Sequence, residues 1–452
     1  MPSPSAAIAA TRFGLGARKD DLKEIGTHGV DWLRAQLKEG SPPLDDPALS
    51  PSHELVAAFF EQIRQRRKDR RTQPVERRSR PMMDALHATY EKEINARTAR
   101  AVSTHAPLPE RLVYFWSNHF TVSATKPQVA IAAGAFEREA IRPHVTGRFI
   151  DMALAVLKHP AMLLYLDNAQ STGPKSRAGK RRDRGLNENL AREVLELHTM
   201  GAGSGYTQDD VIAFAKALTG WTLAAHHASE GRKGAFFFDD RRHEPGVRRV
   251  LSKTYDADGM HQAENILRDV ARTPATAMHI ANKFARHFVA DEPPAALVER
   301  LAATFRKTGG DLRALAATLI ASPEAWQTPL AKIKTPQDLI FSTLRGLGAK
   351  PWLNRRILGS FKLLGQLPFF APSPAGWPDD AAAWTGPDAI AKRLEWISAL
   401  AAHIPGARDP RDLAERLLGG TLSGETRQAV ARASSPAQGF VLLFMSPEFQ
   451  RR

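Results

Sequence analysis

Apolar side chains in this 452-residue chain recur at spacings of three and four through most of its length, and that period narrows the fold more than any other feature. Such spacing lines residues along one face of an α-helix, whereas a strand needs strict alternation, which is confined here to a few short stretches. The expectation is an all-α protein, one large multi-helix domain over residues 1–452 with a small β-hairpin insertion near 235–255. Thr335-Pro336 reads as an N-cap followed by proline at the first helical position, and the helix it opens runs through Leu339 and Leu344 to Gly346 or Gly348. Asp311 caps Leu312 to Ser322 in the same way. Thr207, with Asp210 three residues on, is a variant capping box whose helix ends at Gly220. The insertion is read from Ala235-Phe236-Phe237-Phe238, a turn through Pro245-Gly246, and Val247 to Tyr255.

With 43% apolar residues the chain can bury a sizeable core. It has no cysteine, which excludes disulfides, thiolate nucleophiles and cysteine-ligated metals, so any metal must sit on His, Asp or Glu. Lys and Arg number 63 against 48 Asp and Glu, and the net charge of +15 favours anionic polymers as partners. The absence of any base-reading motif argues against nucleic acid. Two basic stretches, Arg64 to Arg80 and Ser171 to Gly185 with Lys175, Arg177, Lys180, Arg181 and Arg182, read as exposed, flexible polypeptide. Gly365 to Pro387 carries Phe369, Phe370, Trp377 and Trp384 and reads instead as an ordered loop on the core. No apolar run approaches the ~20 residues of a membrane span. Met1 to Arg12 lacks the basic start of a secretory signal, so the expectation is a soluble cytoplasmic protein, with the periplasm left open.

The densest polar cluster is Asn187-Glu188-Asn189-Leu190-Ala191-Arg192-Glu193-Val194-Leu195-Glu196-Leu197-His198, read as one helix ending near Gly201. At about 100° per residue, Leu186, Leu190, Val194 and Leu197 share a face, with Glu193 about 60° from Leu190 on one side and His198 about 80° away on the other. Arg192 and Glu196 have the spacing of an ion pair. A carboxylate at the edge of a core must be paired, hydrogen-bonded or raised in pKa, so Glu193 and Glu196 are candidate acids or bases, with His198 and His243 assisting. The competing reading makes the same residues structural. Candidate binding residues are Asn118, His119, Asn187, Asn189, Arg192, Thr207 and Trp221. Glu193 and His198, about 140° apart on the helix, cannot chelate one ion together, so a metal would draw on His119 in Trp116-Ser117-Asn118-His119-Phe120 and on His243 near the tip of the hairpin. No serine elbow or phosphate loop is present, and no cofactor is named by the sequence.

Asn187 through Gly201, Gly205-Tyr206-Thr207-Gln208-Asp209-Asp210-Val211 and Ala217-Leu218-Thr219-Gly220-Trp221 together resemble the domain of unknown function 1800 family. Tyr114-Phe115-Trp116-Ser117-Asn118-His119-Phe120, Arg242-His243-Glu244-Pro245-Gly246, Lys334-Thr335-Pro336, and Gly376-Trp377-Pro378 followed by Ala383-Trp384 extend the match in order. Ser117 stands where members often have another His, and Glu244 where Asp is usual. The first departure weakens any histidine-pair metal site. The resemblance implies a helical protein widespread in bacteria, often encoded beside a sulfatase-like exported family. A role on anionic polysaccharide in the envelope, or a physical partnership with that neighbour, would follow. The residues themselves leave two functions open: a hydrolytic enzyme using a Glu/His cleft, or a non-catalytic protein binding an anionic polymer or protein partner.

Overall fold

In a computed structural model, which describes residues 4–68, 75–181, 185–224, 232–327, 330–348, 353–404 and 408–452, helices make up nearly all regular structure. Among the described residues the strands form only two antiparallel two-stranded sheets. The helix Pro107–His119 lies at the centre, buried on nearly every side, with Leu108, Leu112, Val113, Phe115 and Trp116 at 5% exposure or less. A helix apolar all round can only be a core helix. Its charged residues are consequently paired, and Glu110 meets Arg142 at 2.6 Å with both side chains buried. The apolar core runs on from Ala6 near one end of the chain to Phe449 near the other.

The caps form where local chemistry places them. Thr207 and Asp210 make a full capping box, as do Thr335 and Asp338. Asp311 accepts from the Ala314 amide at 2.9 Å, starting Leu312–Ala321. Each satisfies amides that the first helical turn leaves without partners. The Gly365 to Pro387 loop is held as expected, with Tyr90 donating to the Pro368 carbonyl at 2.8 Å and the Ala124 amide to Phe369 at 2.7 Å.

Four local expectations are corrected. The segment after Asn189–Glu193 is a π-turn, Val194–His198, rather than more α-helix. Each residue of a π-turn advances less around the axis, so Leu195 and His198 turn inward and Leu197 is left half-buried. Arg192 pairs not with Glu196 but backwards with Glu188, at 3.0 Å. The insertion contains two pairings: β1 (Trp221–Leu223) joins β2 (Phe236–Phe238), while β3 (Arg248–Val250) and β4 (Lys253–Tyr255) make the hairpin. The hairpin turn has Leu251 and Ser252 at φ 49° and 66°, the left-handed pair such a turn demands, and Asp210 holds it by accepting from the Leu251 amide at 2.8 Å. Ser171 to Arg181, read as flexible, is instead tied down. The amides of Gly173 and Ala178 donate to Arg242 and Arg241 carbonyls, each at 2.8 Å, and that of Lys175 to Glu244 at 2.7 Å. Arg182 lies outside the described residues. Of the other basic stretch, Arg64 to Lys68 ends the helix Ser52–Lys68, and residues 69–74 lie outside the described residues. Among the described residues no helix is long and apolar enough to cross a membrane.

Candidate functional site

A narrow recess opens where four elements meet: the end of Pro107–His119, the last turn of Pro274–Phe288, the start of Pro336–Leu347 and the loop around Trp377. The first wall is fixed to the last by Asn118. Its amide donates to the Trp377 carbonyl at 3.0 Å and accepts from the Trp377 amide at 2.8 Å, copying a strand pairing with a side chain. Gly376 makes this approach feasible. It sits at φ 90°, and a Cβ there would lie 2.5 Å from the Asn118 carbonyl oxygen. The clamp sets Asp379, two residues on from Trp377, against the floor.

That floor is a chain of ion pairs whose cations are buried. Asp379 Oδ2 is 2.7 Å from His287 Nδ1, and its Oδ1 is 3.0 Å from Arg452 Nη2. Arg452 reaches on to Asp338 at 2.7 Å, and Asp338 to Arg111 at 3.2 Å. Lys332 contacts Asp291 and the Asp379 backbone carbonyl from behind. Burial alone would raise both carboxyls, but Arg111 and Arg452 outweigh it at Asp338, while His287, Arg452 and Lys332 do so at Asp379, and both sit well below the ordinary range. For His287 burial wins over the pull of Asp379, and its pKa falls to about 4. The imidazole is therefore neutral at pH 7. A carboxylate only accepts, so the proton is on Nδ1 and Nε2 carries the lone pair. Nε2 is buried and has no hydrogen-bond partner among the described residues. His287 lines the recess, and an imidazole oriented by a carboxylate with its other nitrogen uncommitted is equipped to take a proton.

A family model described as protein of unknown function (DUF1800) matches residues 8–451. The chain belongs to the DUF1800 family. No curated protein and no solved structure matches it.

In this DUF1800 protein the residues singled out from sequence fall into three places. Asn118 lies on the recess wall, next to Ser117, whose hydroxyl has no protein partner among the described residues. His119 and His198 form a second, closed cluster with His279, the ring of His119 lying 6.1 Å from that of His198 and 6.3 Å from that of His279. His119 Nε2 donates to the His198 carbonyl and His279 Nε2 to that of Leu197, both at 3.0 Å, whereas neither nitrogen of His198 has a partner among the described residues. Burial, with the nearby Lys283, lowers His198 to about 3.

The remaining candidates sit apart from the recess. Glu193 and Glu196 are half-buried side by side, and Glu193 is raised by burial and then by Glu196. Asn187 accepts from the Asn189 amide at 2.8 Å, Arg192 bridges Glu188 and Gln208, and Thr207 caps its helix. Trp221 is core, its ring 5.4 Å from that of Phe236. His243 is not at a hairpin tip. It is buried between the two sheets, with Nδ1 donating to the Thr219 carbonyl at 3.0 Å and its ring edge-on to Phe238. Gly220, at φ 84°, allows this, since a Cβ there would meet the Asp239 carbonyl at 2.7 Å. Among the described residues no group of three or more His, Asp or Glu side chains is placed to hold a metal ion. Sequence reasoning missed His287, Asp379, Asp338 and Arg111. Two of them had a signal, since Asp338 completes the capping box opened by Thr335 and Asp379 follows Gly376-Trp377-Pro378.

Proposed function

We propose that the recess carries out hydrolysis, with His287 as general base and Asp379 as its orienting carboxylate. The observation that carries this reading is the His287 imidazole itself: neutral, held through Nδ1 at 2.7 Å, and with no partner on Nε2. In the reaction Nε2 takes a proton from an attacking water as its oxygen bonds to the electrophilic centre. Asp379 stabilises the imidazolium that results, and the imidazolium returns the proton to the departing group. Ser117 and Asn118 flank the approach.

The test is a panel of activated carboxylic, phosphoric and sulfuric esters, assayed with the wild type and with His287→Gln, with melting curves to verify the fold. Base catalysis of this kind contributes roughly 10²–10⁴-fold, and a loss in that range is expected. Equal turnover by a folded His287→Gln protein would refute the assignment. Glu193→Gln in the same panel tests the carboxylates of the 187–198 segment as acid or base in its place. A second reading, a protein that binds an anionic polymer or a sulfatase-like partner over its exterior, is favoured by the net charge of +15. Retention on heparin that survives moderate salt is its signature.

A further inference from the structure

Away from the recess floor the buried arginines pair with carboxylates: Arg142 with Glu110, Arg97 with Glu137, and Arg345 with Asp21, which also takes the half-buried Arg18. The floor of the recess breaks that pattern. Around Asp338 and Asp379 lie Arg111 and Arg452, with Lys332 bound to Asp291 and Asp379 behind them. Three further buried cations join them without a carboxylate of their own. Arg393 bonds only the Gln450 side chain at 2.6 Å and the Lys334 carbonyl at 2.7 Å. Among the described residues Arg12 bonds only the carbonyls of Ala325 and Gln327. Lys334 places its ammonium over the Phe449 ring, 3.8 Å from the centroid. Arg12, Arg111, Lys332, Arg393 and Arg452 therefore share three side-chain carboxylates among the described residues, joined by Lys334 when it is protonated, while His287 is neutral. Surplus buried charge is costly unless something offsets it.

Two of the arginines on the recess wall also have unused donors. Arg97 is 6% exposed and Arg111 2%. Arg97 spends Nε on Glu137 at 2.9 Å and Nη1 on Gln337 at 2.7 Å, and its guanidinium is stacked 4.1 Å over the Tyr114 ring, so its plane is fixed. Its Nη2 bonds no acceptor among the described residues. Arg111 spends Nε on the Gly14 carbonyl and Nη2 on Thr11 and Asp338, and its Nη1 is likewise uncommitted. Burial, ahead of the neighbouring charges, lowers the Arg111 guanidinium to about 10 and the Lys334 ammonium to about 7, which fits a cluster short of negative charge.

We infer that the recess binds an oxyanion, the carboxylate, phosphate or sulfate group of a substrate, through Arg97 and Arg111. This rests on the reading of the recess as an active site and names the class of molecule it accepts. Fixed guanidinium forks are the side chains best matched to such groups, and an anion there supplies the charge the floor lacks.

The test is calorimetric titration of the full chain with acetate, inorganic phosphate and sulfate at constant ionic strength, with chloride as control. Saturable binding of one of the three, absent for chloride, is expected, and the preferred geometry, planar or tetrahedral, identifies the substrate group. Arg97→Lys keeps the charge but loses the fork, and should weaken binding by about tenfold or more. The titration is read without turnover, which separates this inference from the hydrolytic one. No saturable binding by the wild type overturns the inference, even if His287-dependent hydrolysis of neutral esters is found. So does binding that a normally folded Arg97→Lys protein retains in full, because the anion would then sit elsewhere on the basic surface.

Discussion

His198 is fully buried and His287 largely so, and desolvation keeps both neutral, yet their surroundings differ in kind. His287 belongs to a chain of charges that runs from Arg111 through Asp338, Arg452 and Asp379, and it lines a recess. His198 packs against Phe120, His119 and backbone, with no carboxylate bonded to it. A proton taken up by His287 meets a compensating carboxylate at 2.7 Å, whereas one on His198 meets the cation of Lys283. The same side chain is therefore prepared for proton transfer in one place and barred from it in the other.

The largest effect should come from the carboxylate shared by two arginines. Asp338→Asn leaves Arg111 and Arg452 short of charge and is expected to cost about 3–5 kcal/mol in urea unfolding. A loss under about 1 kcal/mol would mean that the ion-pair chain does not organise the recess. Next comes pH. A histidine lowered in the folded state leaves stability intact above the unfolded value of 6.5, because neither state is protonated there. As pH falls below 6.5 only the unfolded chain takes the proton, so stability drops until the folded pKa is reached, about 4 for His287 and about 3 for His198. Across its window the loss is on the order of 3 kcal/mol for His287 and on the order of 5 kcal/mol for His198. Asp338 and Asp379 act lower, their stabilisation being full above the ordinary carboxylate range and lost beneath it. Unfolding free energies measured from pH 8 to 4 should thus flatten in His198→Leu, and an unchanged slope would contradict the neutral burial of that ring. The smallest effect is His198→Leu at pH 8. Removing two unsatisfied ring nitrogens offsets the lost contacts, and stability should stay within about 1 kcal/mol of wild type, whereas His287→Leu strips Asp379 of a donor and should cost about 1–3 kcal/mol. Equal costs at the two positions would erase the distinction between the clusters.

Why one part of this was legible and the other not follows from distance along the chain. Thr207 with Asp210, Thr335 with Asp338 and Asp311 with the Ala314 amide all close within three residues, so the sequence alone marks them. The helical class follows from the same short range, because the apolar period is a property of neighbouring turns, and the ordered blocks from Tyr114 to Trp384 carried the family resemblance. The 187–198 segment drew attention because its polar residues are contiguous, but contiguity does not bring carboxylates and histidines to a common recess. Its π-turn moved His198 to the inside, a shift of phase that an ideal helix drawn from sequence cannot show.

What the amino-acid order determined by itself is the set of helices and their caps, since each rests on hydrogen bonds between near neighbours. Tertiary structure alone decided the recess. His287 and Asp379 are 92 residues apart, and Asp379 and Arg452 are 73 apart. Charges so distant become partners only when packing removes the water between them, and the same desolvation that makes the pairing necessary gives His287 its free, neutral nitrogen.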